Sequence, residues 1–159
     1  MTRGNEPPRL FFRKKQRSIK MNIVITKKDV DQINSCLNEM VSSSLAHSAL
    51  LIDRSGQLIA HHGDTPEVDI LSLSALTAAN FEATVEIARI LGEEEFTLLF
   101  HKGKNENVYF SAIGEHVILV TLFDDHTSLG LIRFHINKIV DELSKILASI
   151  FEKRKPPMK

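Results

Sequence analysis

The stretch LLIDRSGQLIAHHG, Leu50 to Gly63, decides how this chain folds. Two short apolar runs, His47 to Ile52 and Leu58 to His62, flank Asp53, Arg54, Ser55 and Gly56. Aspartate and serine bond readily to nearby backbone, and glycine accepts the left-handed conformation that a tight reversal demands. The spacing predicts a β-hairpin.

On its N-terminal side, Thr26 stands where a helix cap is expected, ahead of Lys27, Lys28 and Asp29. Val30, Ile33, Leu37 and Met40 with Val41 then recur at helical spacing to about Ser44, and this apolar stripe must face a sheet. On the C-terminal side, Asp69 to Gly92 is rich in small residues: Ala75, Ala78, Ala79, Ala83 and Ala88. Gly92 terminates this second helix, which another element can approach closely. Phe96 to His101, Val108 to Ile113 and Val117 to Phe123 read as three strands, the last two joined through Gly114 and Glu115. Thr127 or Ser128 caps a final helix in which Ile132, Ile136, Ile139, Leu143, Ile146, Leu147 and Ile150 repeat at helical spacing. The order is helix, two strands, helix, three strands, helix. That is an α+β class with a five-stranded, mostly antiparallel sheet and helices on its faces; hairpin connections leave no dinucleotide-binding βαβ repeat.

A chain of 159 residues with 43% hydrophobic content fits one domain with a real core. No apolar run is long enough for a membrane span, and no secretory leader is recognisable, so a cytoplasmic protein without an integral membrane segment is expected. Cys36, the only cysteine, permits no internal disulfide. Met1 to Lys20 carries seven basic residues against Glu6, and Glu152 to Lys159 carries four basic residues against one acid. Removing these from totals of 20 and 20 leaves nine basic and 18 acidic residues between Met21 and Phe151. Such an acidic body argues against nucleic acid as a partner, because phosphate binding rests on clustered Lys and Arg. Residues 1–24 lack periodicity and read as a disordered basic stretch; its functional reading is a membrane-surface or nucleic-acid tether with Phe11 and Phe12, and its plain reading is an upstream start ahead of Met21 or a solvated tail.

No phosphate-binding loop, dinucleotide fingerprint, nucleophile elbow or HExxH pair is present. His61 and His62 are adjacent in a strand and point to opposite faces, so they cannot easily share a metal. Cys36 lies among apolar helix residues with nothing to activate a thiolate. Glu93, Glu94 and Glu95 read as a solvated loop, and Asp124 with Asp125 as capping charge favoured by the dipole at the start of the last helix. No catalytic, cofactor or metal site is expected.

Three stretches carry a resemblance to a known family: LLIDRSGQLIAHHG, SLSALTAANFEATVEIARILGEEEFTLLFHKG and VILVTLFDDHTSLGLIRF. In this order they resemble the roadblock (dynein light chain) family, most closely its bacterial MglB-type members. The resemblance implies a roadblock domain over residues 25–152, followed by a basic tail at 153–159. It further implies a homodimer in which the middle helices lie side by side and the sheets join at their edges. That dimer would be a platform for a small Ras-like (MglA-type) GTPase whose GTP hydrolysis it stimulates, in control of cell polarity or motility. The GTPase would supply the catalytic groups, with no inserted arginine finger. Two other readings are a scaffold that binds a GTPase or membrane complex without altering turnover, and a ligand-sensing or enzymatic domain on a similar fold.

The docking surface is expected on the middle helix. Ala75, Ala79, Glu82, Glu86 and Arg89 fall on one stripe that Leu73, Leu76 and Leu91 avoid, and Ala83 joins it in the platform. The same stripe also reads as a plain solvent face or part of the dimer seam. Alanine and glycine are frequent in MglB-type middle helices where this chain has Glu82 and Glu86.

Overall fold

A computed structural model describes residues 24–65, 67–96 and 98–152. The basic stretch before Val24 and the tail at 153–159 lie outside them. The order of elements is α1 (Lys27–Ser44), β1 (Ser48–Asp53), β2 (Leu58–Gly63), α2 (Ile70–Leu91), β3 (Leu99–Lys102), β4 (Asn107–Ile113), β5 (Val117–Phe123) and α3 (Leu129–Glu152).

All neighbouring strands pair antiparallel, in the spatial order β2-β1-β5-β4-β3. β1 and β5 lie at the centre and are buried along their whole length. Their unbroken apolar runs follow from this, since a central strand with helices on both faces has no solvent side. Alternation divides the core in two. Ala49, Leu51, Leu119, Phe123, Tyr109 and Ile113 face α1 and α3. Leu50, Ile52, Ile118, Val120, Leu122 and Phe110 face α2, meeting Ala78, Leu73 and Phe81.

Each helix begins as its sequence requires. Thr26 Oγ1 accepts from the Asp29 backbone N–H at 3.2 Å while an Asp29 carboxylate oxygen accepts from the Thr26 N–H at 3.0 Å, a reciprocal cap of α1. Asp69 accepts from the Ser72 N–H at 3.1 Å, and Gly92 ends α2 at φ 79° with its N–H on the Arg89 carbonyl. Of the two candidate caps for α3, Ser128 serves: its hydroxyl accepts from the Leu131 N–H at 3.2 Å.

Two expectations need correction. Asp124 and Asp125 do not cap α3: Asp124 binds His47 and His126, and Asp125 binds Lys102 and Asn107. The strand expected from Phe96 begins only at Leu99, because pairing with β4 runs from Leu99 opposite Phe110 to Lys102 opposite Asn107. Without a ladder partner, Phe96 and Leu98 stay outside the sheet and are exposed.

Candidate functional surface on the second helix

One face of α2 buries Ser74, Thr77, Ala78 and Ala88 against the sheet, with Leu73 and Phe81 packed beside them. Opposite that face run Leu76, Ala79, Ala83, Ile87 and Ile90, spaced i, i+3, i+7, i+11 and i+14, which align on one side of a helix. Leu76 is 69% exposed, Ile87 51% and Ile90 83%. A helix apolar on both sides is the composition of one buried on both sides. Among the described residues, α2 is covered on its sheet side only.

All six platform residues, Ala75, Ala79, Glu82, Ala83, Glu86 and Arg89, are exposed. The structure separates them into two groups. Ala79 and Ala83 lie within the apolar stripe, between Leu76 and Ile87. Ala75, Glu82, Glu86 and Arg89 form a flank beside it, turned toward the β1–β2 turn. There the acids are already engaged. Glu82 Oε1 lies 3.5 Å from Arg54 Nη1, whose guanidinium sits 5.3 Å from the centre of the Phe81 ring. Arg89 Nη1 donates to both oxygens of Glu86 at 2.8 Å. The large side chains Leu76 and Leu91 avoid that flank but are not turned inward; they remain exposed, as do Ile87 and Ile90. A reading of the sequence centred on small residues passes over Ile87 and Ile90, although their spacing from Leu76 is a signal that finds them.

Among the described residues no group of three or more His, Cys, Asp or Glu converges as a metal site. Cys36 is buried, and that burial, aided by the negative charge of Glu142 and Glu39, pushes its thiol up to about 11, away from reactivity. His61 and His62 oppose Leu50 and Ala49, which point to opposite faces of the sheet. His101 packs edge-on against Phe110. His47 is the most engaged histidine: Nδ1 lies 2.7 Å from Glu106 and Nε2 2.8 Å from Asp124, so it ties the β3–β4 and β5–α3 connections to the start of β1. Among the described residues no helix is long and apolar enough to cross a membrane.

Fold and surface together define a layered α+β domain whose second helix presents an exposed apolar stripe. The Roadblock/LC7 domain profile matches residues 33–123. MglB of Myxococcus xanthus is 41% identical, with the match covering 74% of this chain and 96% of that one at a TM-score of 0.71. The gliding protein MglB of Thermus thermophilus is 30% identical over 80% of this chain and 97% of its own, with a TM-score of 0.74. A further solved structure, of MglB in a tetrameric arrangement, is 30% identical over 81% of this chain and 97% of its own, with a TM-score of 0.76. The chain belongs to the Roadblock/LC7 family and is MglB-like.

Proposed function

We propose that this protein is a homodimeric regulator that docks on a small Ras-like, MglA-type GTPase and accelerates its GTP hydrolysis, with no catalytic group of its own. The observation that carries this reading is the uncovered apolar stripe of α2, Leu76 to Ile90, in a chain 41% identical to an MglB. An exposed apolar face of this kind marks an interaction surface, and self-pairing of one helix about a twofold axis is the simplest way to cover it. Ala79 and Ala83 at its centre let two helices approach closely. On each protomer the flank of Ala75, Glu82, Glu86 and Arg89 then remains beside the seam as a mixed-charge surface for the GTPase. Phosphoryl transfer is catalysed chiefly by geometry and charge placement, so a partner that only holds the switch segments in place can speed it.

The test measures GTP turnover by the MglA-type GTPase with and without this protein at matched micromolar concentrations. Acceleration is expected. Measurable binding without acceleration would leave a scaffold and remove the activating role. Ala79→Arg introduces bulk and charge at the centre of the stripe and is expected to yield a monomer in gel filtration. A dimer that still binds the GTPase normally would move the docking surface away from α2.

A further inference from the structure

At the end of the sheet where α2 begins, His47, Asp64, Thr65, Glu67, Val68, Leu73, Glu106 and Leu122 line a hollow of about 420 Å3. Val68, Leu73 and Leu122 give it an apolar part, and Asp64, Glu67 and Glu106 bring three acidic residues to its lining. Among the described residues that line it, His47 alone can carry positive charge, and it is held by Glu106 and Asp124. Neither Asp64 nor Glu67 has a side-chain hydrogen bond or ion pair among the described residues. The complement to such a surface is an apolar group flanked by cations.

The chain carries that complement itself. Residues 9–15 read RLFFRKK: a leucine and two phenylalanines between Arg9 and the cations Arg13, Lys14 and Lys15. Charge favours the match, since Met1 to Lys20 holds seven basic residues against one acid while Met21 to Phe151 holds nine against 18. Distance allows it. The 18 residues of α1 span about 27 Å between Lys27 and the neighbourhood of His47. The 12 residues from Phe12 to Val24 reach up to about 40 Å, and the nine from Lys15 about 30 Å.

We propose that this hollow is the seat of the chain's own basic segment, with Phe11 and Phe12 over Val68, Leu73 and Leu122, and Arg13, Lys14 and Lys15 paired with Asp64, Glu67 and Glu106. A segment without periodicity of its own needs no helix or strand to bind this way, because the partner surface is already formed. The seat adjoins the N-terminal end of α2, so occupancy adds charge and bulk next to the helix that carries the apolar stripe.

The test uses the full chain. A zero-length carbodiimide links amines to carboxylates only when they are in contact, and peptide mass mapping locates the links. Expected are amides from Lys14 or Lys15 to Asp64, Glu67 or Glu106, lost in about 1 M salt, where charge attraction is screened within a few ångströms. Phe11→Ser with Phe12→Ser keeps every charge and removes the apolar half of the match. It should abolish most of those links and move the backbone amide NMR signals of Thr65, Val68 and Leu73 relative to the unaltered chain. Links spread evenly over other acids such as Glu93 to Glu95, or links and signals unchanged by the phenylalanine substitutions, would overturn the proposal.

Discussion

Gly56 in the β1–β2 turn and Ala75 on α2 stand so close that a β-carbon on Gly56 would lie 2.9 Å from the Ala75 α-carbon. The same glycine has φ +91°, a conformation that side-chain-bearing residues adopt only with strain. The small-residue character of α2 therefore has an internal use as well as an external one: the turn seats on the helix where Ala75 offers no bulk. Gly56→Ala is expected to destabilise the fold by about 1–3 kcal/mol, combining backbone strain with a displaced turn. Urea denaturation measures it; a change within about 0.5 kcal/mol, the range of an ordinary surface substitution, would mean that the turn does not bear on the helix.

Acid should loosen the opposite end of the sheet. Asp124 is held down from the ordinary 3.8 to about 2, first by the His126 backbone N–H, against the opposing effect of burial, with the His126 and His47 side chains adding to it. Because folding lowers this pKa, the carboxylate contributes stability above pH 3.8, and that contribution is lost as pH falls through about 2. Asp124→Asn should therefore be less stable than the unaltered chain near neutrality, and the two stabilities should converge as pH drops across that window. Denaturation curves at stepped pH check it: parallel profiles would show that Asp124 plays no part in the acid response.

Much of the fold is legible in the sequence because the elements with the clearest periods are those whose burial is one-sided. Ile132 to Ile150 repeats at helical spacing since α3 covers one face of the sheet and leaves its other side to solvent. The start of β3 is not legible, because Phe96 and Leu98 have the composition of strand residues, while the end of a ladder depends on a partner 11 or more residues away, opposite Leu99. Asp124 and Asp125 look like helix charges since sequence shows only their neighbours along the chain, whereas His47 and Lys102 reach them through tertiary structure. For the platform, all six residues are exposed, yet the engagement of Glu82 by Arg54 is again a long-range contact that spacing cannot reveal.

Two leucine and isoleucine truncations should separate folding from assembly. Leu143 is fully buried on α3 in the core shared with α1, and Leu143→Ala is expected to cost about 2–5 kcal/mol by opening a cavity. Ile90 is 83% exposed on α2, so Ile90→Ala removes almost no intrachain packing. Its unfolding at high dilution should match the unaltered chain, while sedimentation is expected to show weaker self-association if the stripe seats the proposed dimer. Loss of monomer stability on Ile90→Ala would place that side chain in the core of the single chain instead.

The centre of the sheet holds a hydroxyl that no described residue bonds. Thr121 on β5 is fully buried, paired across the strands with Ala49 and Tyr109, and its hydroxyl has no hydrogen-bond partner among the described residues. A buried hydroxyl left unsatisfied keeps the desolvation cost without the compensating bond. Valine has the same branched shape with a methyl in place of the hydroxyl, and its β-branched form suits a central strand. Thr121→Val is thus expected to raise stability by about 1 kcal/mol. Thr121→Ser, which keeps the hydroxyl and deletes the methyl, should lower it through lost packing. Urea midpoints for the pair decide the matter: a destabilised valine variant would show that the hydroxyl is bonded in solution, with water as the partner that fits so enclosed a position.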